Sequence, residues 1–462
     1  MVSTADRLDT LGTAVAPARP GDGARLLALA IGFVMATLDA TVVTVAAVDI
    51  ADDMAIGPTG LTWLMDSYIL SFASLLLLAG SLADRFGARR TYLAGLALFI
   101  AASTVCGLAG DGGLLVGARV VQGAGAALFM PSSLVLLVGA FPEPRRQAIV
   151  LGYWTAIVST ASGLGPVIGG VLVGTLGWRS IFLVNIPFGI AGAVLTMRWI
   201  SPSPRRPRGL NLASNVASAG LLAALSIVLI EGPKQGWTSF PSVAILTVAA
   251  LCVSALVVSE RFAADPLISR SLRGSPVFRA AVSIGLLLNL ALFGSIFMLG
   301  VFFQRAWGLS PMQAGWSLLP MLVVFVLGNL TFARLVHRFG SRRPGLVALC
   351  VAAAASATMV TISAATPYAL LAVAVGVANF CVGVTVPALT ATLMEVAGSH
   401  ASTAAALLNA NRQVGALLGV AAAGSVIAAP TDWYHAASVA FAVIALAYGT
   451  AACLASRLAR ST

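Results

Sequence analysis

Apolar residues in this chain gather into long runs divided by short polar or Gly/Pro-marked breaks. A bilayer-spanning helix needs about 20 apolar residues. Runs of that kind cover 26–48, 60–83, 92–110, 114–140, 149–174, 181–199, 212–230, 243–258, 280–303, 312–332, 345–364, 368–393, 403–427 and 436–454. The pattern predicts an all-α integral membrane protein with fourteen transmembrane helices, the run at 243–258 being the shortest.

Composition removes the soluble alternative. Hydrophobic residues make up 59% of the 462 positions and charged residues 9%, with a mean hydropathy of +0.97, whereas soluble domains carry about 25% charged residues. The net charge of +11 would fit nucleic-acid binding if the cations were clustered on one surface, so their positions decide. With the N-terminus inside and fourteen spans, 22 Lys and Arg fall in cytoplasmic segments and three, Arg179, Lys234 and Arg305, in outer loops. That is the positive-inside pattern, and it predicts both termini in the cytoplasm, with no nucleic-acid partner. The first 24 residues hold no apolar run long enough for a secretory signal, so no cleaved leader is expected. All five cysteines lie in apolar runs, and neither a disulfide frame nor a metal site is predicted.

The loop 80–90, with Gly80, Asp84, Arg85, Gly87, Arg89 and Arg90, returns as 333–343 at an offset of 253, and Pro131 returns as Pro387 at 256. Such duplication predicts two six-helix bundles related by pseudo-two-fold symmetry, with a two-helix insert between them. The expected division is a cytoplasmic tail over 1–24, an N-terminal six-helix bundle over 25–200 and a linker with the insert over 201–278. A C-terminal bundle over 279–456 and a tail over 457–462 complete it.

These residues resemble the major facilitator superfamily, and within it the fourteen-span drug:proton antiporter branch, over essentially the whole chain. The loop 80–90 is similar to the family's loop between the second and third spans. The stretch 114–125, with Arg119, Gln122 and Gly123, resembles its fourth-span motif. Residues 163–170, with Gly163, Gly165, Pro166, Gly169 and Gly170, resemble the fifth-span antiporter motif, and Leu38, Asp39, Thr41 and Thr44 the first-span motif of this branch. Trp178, Arg179, Asn185, Pro187, Gln304, Gly308 and Pro311 look like further landmarks of it. The chain departs from the pattern at Ala161, where Gly is usual, at Thr44 and Val48, where Asn and Pro are usual, and at His337, which replaces the acid of the first loop copy.

Charges inside the spans carry the candidate chemistry. Asp39 lies about 14 residues into its run, roughly 21 Å deep at 1.5 Å per residue. A charged Asp near the bilayer centre costs on the order of 3 kcal/mol and marks a functional position by default. Arg119, about 8 Å below the outer boundary by the same rise, is its natural counterion. The two form either a proton-coupling pair or a static ion pair joining two helices. Asp66, in the outer third of the second span, resembles an acid of the sub-branch that exports quaternary ammonium and other lipophilic cations. Trp63 and Tyr68 beside it read first as an interfacial belt and second as rings for cation–π contact. Ala161, Gly165 and Gly169 share one helix face and permit close packing, and Pro166 removes a backbone bond. The resemblance gives this element the role of a seal between the halves, and gives Asp84 that of a conformational latch. Arg412, near the start of its run, is paired with Glu395 in the simplest account, and Glu231, Asp49, Asp52 and Asp53 are expected at outer helix ends.

The leading expectation is a proton-coupled antiporter in a bacterial plasma membrane, exporting hydrophobic and preferentially cationic small molecules by alternating access. It would act as a monomer whose partners are its cargo, protons and lipid, with no cofactor and no catalytic residue. One alternative is a dedicated exporter of a self-made antibiotic or a lipid-like metabolite. From other classes come an intramembrane enzyme, disfavoured because no nucleophile or metal-ligand cluster lies inside the spans, and a membrane sensor, which would more naturally carry an appended soluble domain. No GxxxxGK[ST] loop is present, which disfavours direct drive by ATP.

Overall fold

The computed structural model describes residues 21–141, 143–203, 212–262, 274–397, 401–428 and 432–460. Among them the regular structure is helical. The chain runs through α1 (Asp22–Asp53), α2 (Pro58–Phe86), α3 (Ala88–Leu108), α4 (Gly112–Ala140) and α5 (Pro144–Leu176). There follow α6 (Ser180–Leu183), α7 (Asn185–Trp199), α8 (Leu212–Gln235), α9 (Phe240–Phe262) and α10 (Pro276–Arg305). The last five are α11 (Pro311–Phe339), α12 (Arg342–Thr358), α13 (Tyr368–Ala397), α14 (Ala401–Ala428) and α15 (Trp433–Arg460).

Among the described residues ten helices are long and apolar enough to cross a bilayer, with α6 and α7 taken together as Ser180–Trp199. An eleventh qualifies if Pro58–Leu76 and Leu78–Phe86, inclined at 52°, make one bent span. Parts of α5 and α8, Leu164–Leu176 and Val216–Gly232, are apolar but shorter. The protein is therefore a multi-pass membrane protein. The single run expected at 181–199 is interrupted at Val184, between α6 and α7. Pro187 accounts for the break, since it has no N–H to return to the carbonyl of Leu183.

Local sequence sets the helix ends. Pro58, Pro276 and Pro311 occupy first-turn positions where a missing N–H costs nothing. Asp111 caps α4 by accepting from the Leu114 N–H at 2.9 Å, and Ser310 with Gln313 forms a capping box on α11. The duplicated loop folds the same way twice. Gly87 (φ 93°) separates α2 from α3, and Gly340 (φ 71°) ends α11 just before α12; both angles favour a residue without a Cβ.

Helix pairing repeats along the chain. In the first part α1 packs on α5 and α7, and α4 on α2 and α3; in the second α10 packs on α14 and α15, and α13 on α11 and α12. The two largest contacts between the parts are α5 with α11 and α2 with α14, α1 also meets α10 and α11, and α8 pairs with α9 and lies against both α2 and α14. Glycines set the closest approaches. A Cβ on Gly415 or Gly419 of α14 would strike the carbonyl of Leu286 or Leu290 on α10, and one on Gly170 of α5 would lie 2.8 Å from the Pro311 carbonyl. The joint is tightest at one end of the molecule. There residues 41–48 of α1 and 295–304 of α10 are buried, and Gly300 faces the Thr44 carbonyl.

Candidate transport site

Asp39 and Arg119 meet. The Asp39 carboxylate, 3% exposed, forms an ion pair with the Arg119 guanidinium, 1% exposed, through Oδ2 and Nη1. Gln122, one helical turn after Arg119 on α4, bridges them. Its Nε2 donates to Asp39 Oδ1 at 2.9 Å, and its Oε1 accepts from Arg119 Nη1 at 2.8 Å. The same Nε2 reaches Ser103 Oγ of α3 at 2.9 Å, and Asn185 of α7 donates to Asp39 Oδ1 at 3.4 Å and to Ser103 Oγ at 3.5 Å. Arg119 Nε also reaches the Leu64 carbonyl of α2 at 3.4 Å. Side chains of α4 and α7 thus converge on the α1 carboxylate, with Ser103 of α3 bonded to both amides, and a buried pair satisfied on this many sides offsets much of its desolvation penalty.

Both Asp39 and Arg119 were legible as intramembrane charges, and Gln122 and Asn185 as motif residues. Ser103 was missed; a lone hydroxyl in an apolar run is a weak signal, because it can bond its own helix instead. Tyr68 corrects the interfacial-belt expectation. It is 3% exposed, donates through its hydroxyl to the Ala36 carbonyl at 3.2 Å, and its ring lies 4.3 Å under the Arg119 guanidinium carbon. The ring does make a cation–π contact, with the protein's own arginine. Trp63 is likewise engaged within the protein, donating through Nε1 to Glu231 Oε1 of α8 at 2.8 Å. Glu231, expected at a solvated helix end, is a docking group for the α8–α9 pair.

Asp66 stands apart from this cluster. It is fully buried in α2, and neither carboxylate oxygen has a hydrogen-bond partner among the described residues. Thr62, one turn earlier, lies against Gly424 of α14, so Asp66 belongs to the contact between the two parts of the molecule. An ionised carboxylate without a donor is costly in such a place.

The motif residues divide by location. Gly123 of α4 faces the Tyr68 carbonyl, where a Cβ would collide, so this glycine lets α4 bring Arg119 and Gln122 against α2. Gly165 and Gly169 of α5 face Thr41 and Val42 of α1, while Gly170 faces Pro311 and Met312, and the Pro166 carbonyl faces Gly315 of α11. One short stretch of α5 therefore contacts both α1 and α11. The side-chain surroundings of Gly163 lie outside the described residues. A Cβ on Gly80 would meet nothing within 4 Å. In the loop that follows, Arg89 donates to the Met197 carbonyl in the last turn of α7 at 2.7 Å, and its backbone N–H to Ser203 Oγ at 3.3 Å. It thereby complements a helix C-terminus. Arg85 lies over the neighbouring Phe86 ring at 5.7 Å. The His337 and Glu395 side chains are outside the described residues.

At the tightly joined end, Arg305 of α10 pairs with Asp52 of α1, and Gln304 Nε2 donates to the Val45 carbonyl at 3.0 Å. Arg179 pairs with Asp53 at 3.0 Å. Arg305–Asp52 and Gln304–Val45 tie the two parts together across their seam.

A many-helix membrane protein with a charge cluster sealed between its helices, and a helix pairing that repeats along the chain, is built as a transporter of small solutes. The model of the Major Facilitator Superfamily matches residues 29–420, and the chain belongs to that family of transporters. It is 48% identical over 427 residues to the methylenomycin A resistance protein of Streptomyces coelicolor, covering 92% of this chain and 90% of that one. It is 46% identical to the methylenomycin A resistance protein of Bacillus subtilis, over 93% of this chain and 92% of the relative. The multidrug resistance protein Stp of Mycobacterium tuberculosis is 35% identical over 87% of this chain and 75% of its own length. Among solved structures, a bacterial homologue of the human lysosomal transporter Spinster, inward-facing and unoccupied, superposes with a TM-score of 0.68 at 16% identity, covering 95% of this chain and 97% of that one. A D-xylose–proton symporter gives 0.67 at 14%, covering 94% and 97%. The last two likenesses concern the fold.

Proposed function

We propose that the protein is a proton-coupled drug antiporter of the fourteen-span branch, exporting hydrophobic and preferentially cationic small molecules by alternating access. Its membrane is the plasma membrane of a bacterium, with both termini and the Arg-rich loops in the cytoplasm, and it works as a monomer without a cofactor. The repeated helix pairing supports two six-helix bundles, 25–200 and 279–456, related by a pseudo-two-fold axis and separated by the linker and insert 201–278, with tails at 1–24 and 457–462. The tight joint beside Asp52 and Arg305 supports an inward-facing state, closed on the outside. The names of the relatives, resistance proteins for methylenomycin A and for multiple drugs, support drug efflux.

The observation that carries the coupling is the Asp39 carboxylate held by Arg119, Gln122 and Asn185 where α1, α4 and α7 meet. As the bundles rock, the donors approach and withdraw from this carboxylate, which loads and releases a proton once per cycle. Asp66 attracts the cationic cargo or carries a second proton. One proton exchanged for one monovalent cation is electroneutral and draws on the pH gradient alone, whereas each net charge would add about 2.3 kcal/mol per 100 mV.

In proteoliposomes with an imposed pH gradient, Asp39→Asn is expected to abolish proton-driven ethidium efflux, while Asp39→Glu retains part of it. Unchanged efflux in a correctly inserted Asp39→Asn protein removes Asp39 from the mechanism. A second reading, a dedicated exporter of one antibiotic, is favoured by similarity to relatives named for a single compound, among them the tetracenomycin C resistance and export protein of Streptomyces glaucescens, 31% identical. A susceptibility panel separates the two, since resistance confined to one chemical scaffold supports dedication.

A further inference from the structure

Arg412 is a membrane-depth cation that the Asp39 cluster does not use. It lies near the middle of α14, about 11 residues from the helix end nearest the Arg-rich loops and so roughly 16 Å in. Its Nε donates to Asn289 Oδ1 of α10 at 3.2 Å, and no carboxylate among the described residues pairs with it. Glu395 is two residues from the end of α13, which leaves the two backbone levels about 13 Å apart along the helices. Asp66 is no nearer. With Thr62 level with Gly424, Asp66 sits one turn inward and Arg412 more than three, about 12 Å deeper. The arginine is nonetheless built in, because a Cβ at Gly285 of α10 would stand 3.2 Å from Arg412 Cγ, so glycine makes room for its stem.

The surroundings of Arg412 change along one helix face. At about 100° per residue, Asn409, Gln413, Ala416, Val420 and Ile427 all lie between the side of α14 that meets α10 and the side that meets α2. Towards the closed end Ala416, Val420 and Ile427 are 0%, 1% and 8% exposed. Towards the other end Asn409 is exposed, and Arg412 and Gln413 are half-buried. A face that is apolar where sealed and polar where open is the wall of an aqueous cleft, since amides facing acyl chains would have no partner. With Nε held by Asn289, the Nη1 and Nη2 edge of the guanidinium has no partner among the described residues, and that fork matches a carboxylate.

We propose that Arg412, flanked by Asn409 and Gln413, recognises a carboxylate on the cargo, so that the pump takes hydrophobic acids from the cytoplasmic side. The proposal rests on the efflux reading and adds acids to the cationic cargo proposed above. It also changes the energetics: a proton moving in and an organic anion moving out carry charge in the same sense, so acid export draws on membrane potential where one-for-one cation exchange does not.

The test uses everted membrane vesicles containing the full chain and energised by respiration. Uptake of a lipophilic carboxylate dye, its methyl ester and ethidium is followed with the potential intact or collapsed by valinomycin and K⁺. The expected result is acid uptake that slows when the potential is collapsed and is not competed by the ester. Arg412→Gln is expected to lower the ratio of acid to ethidium uptake by about tenfold or more, the loss of one charge-assisted contact, and Arg412→Lys to restore part of it. Should the Arg412 variants fail to accumulate, Asn409→Ala and Gln413→Ala carry the same measurement with smaller decreases. An unchanged ratio in these variants, or wild-type uptake of ethidium without the acid, overturns the proposal and leaves the efflux reading standing. A wild type that moves none of the dyes overturns both.

Discussion

Gln122 gives each of its polar atoms a partner, and through one amide it ties Asp39, Arg119 and Ser103 into a single unit. Replacing it by Leu keeps the volume and removes the bridge, leaving buried oxygens on Asp39 and Ser103 short of a donor at about 1–3 kcal/mol for each unsatisfied group. Gln122→Leu is expected to lower the melting temperature of detergent-purified protein, read by intrinsic fluorescence, and to cut proton-driven efflux. Asp66 is the opposite case, since neither oxygen has a described partner to lose. Asp66→Asn is expected to leave thermal stability equal or higher while reducing ethidium export relative to a neutral dye. An equal loss for both dyes would assign Asp66 to proton coupling instead of cation recognition.

Helices meet in this protein at positions chosen for the absence of a side chain. On α14, Gly415 and Gly419 lie one turn apart against successive carbonyls of α10, an arrangement in which backbone contact and dispersion, not water exclusion, hold helices together in lipid. Gly415→Val would force the pair apart, and overpacking of this kind costs about 1–3 kcal/mol or more; a lowered melting temperature checks it. The insert is fastened differently. Trp63 donates to Glu231, and Ser425 of α14 bonds the Leu229 carbonyl, so α8 spans the α2–α14 contact. Glu231→Ala should cost about 1 kcal/mol, one net hydrogen bond, and loosen α8 without disturbing the Asp39 cluster, as hydrogen exchange over 212–235 would report.

Across the molecule, closure at one end depends on α1 and α10. Asp52–Arg305 is well exposed, at 61% and 39%, and exposed pairs are worth roughly 0–1 kcal/mol, so a single charge removal shifts the balance between states only slightly. Covalent closure is decisive. A double variant, Asp52→Cys with Arg305→Cys, is expected to lose efflux on oxidation and regain it on reduction, measured with ethidium in the same vesicles. Transport that persists through complete cross-linking would show that this end need not open.

Most of the helical plan could be read from the chain, because a backbone in hydrocarbon must satisfy its own polar groups and the only local answer is a long apolar helix. The duplication, the intramembrane Asp39 and Arg119, and their encounter were legible for the same reason: charges at depth are too costly to be incidental. The lateral order of the helices was not, since lipid-facing and protein-facing surfaces are equally apolar and leave no periodic signal. Tyr68 under Arg119, Ser103 and Asn185 around Asp39, Glu231 holding Trp63, and the open polar face around Arg412 all depend on which helix sides meet. The depth of each charge along its own helix was set by the chain; only packing, governed by small residues and carbonyl contacts between distant segments, decided which charges were neutralised and which have no charged partner among the described residues.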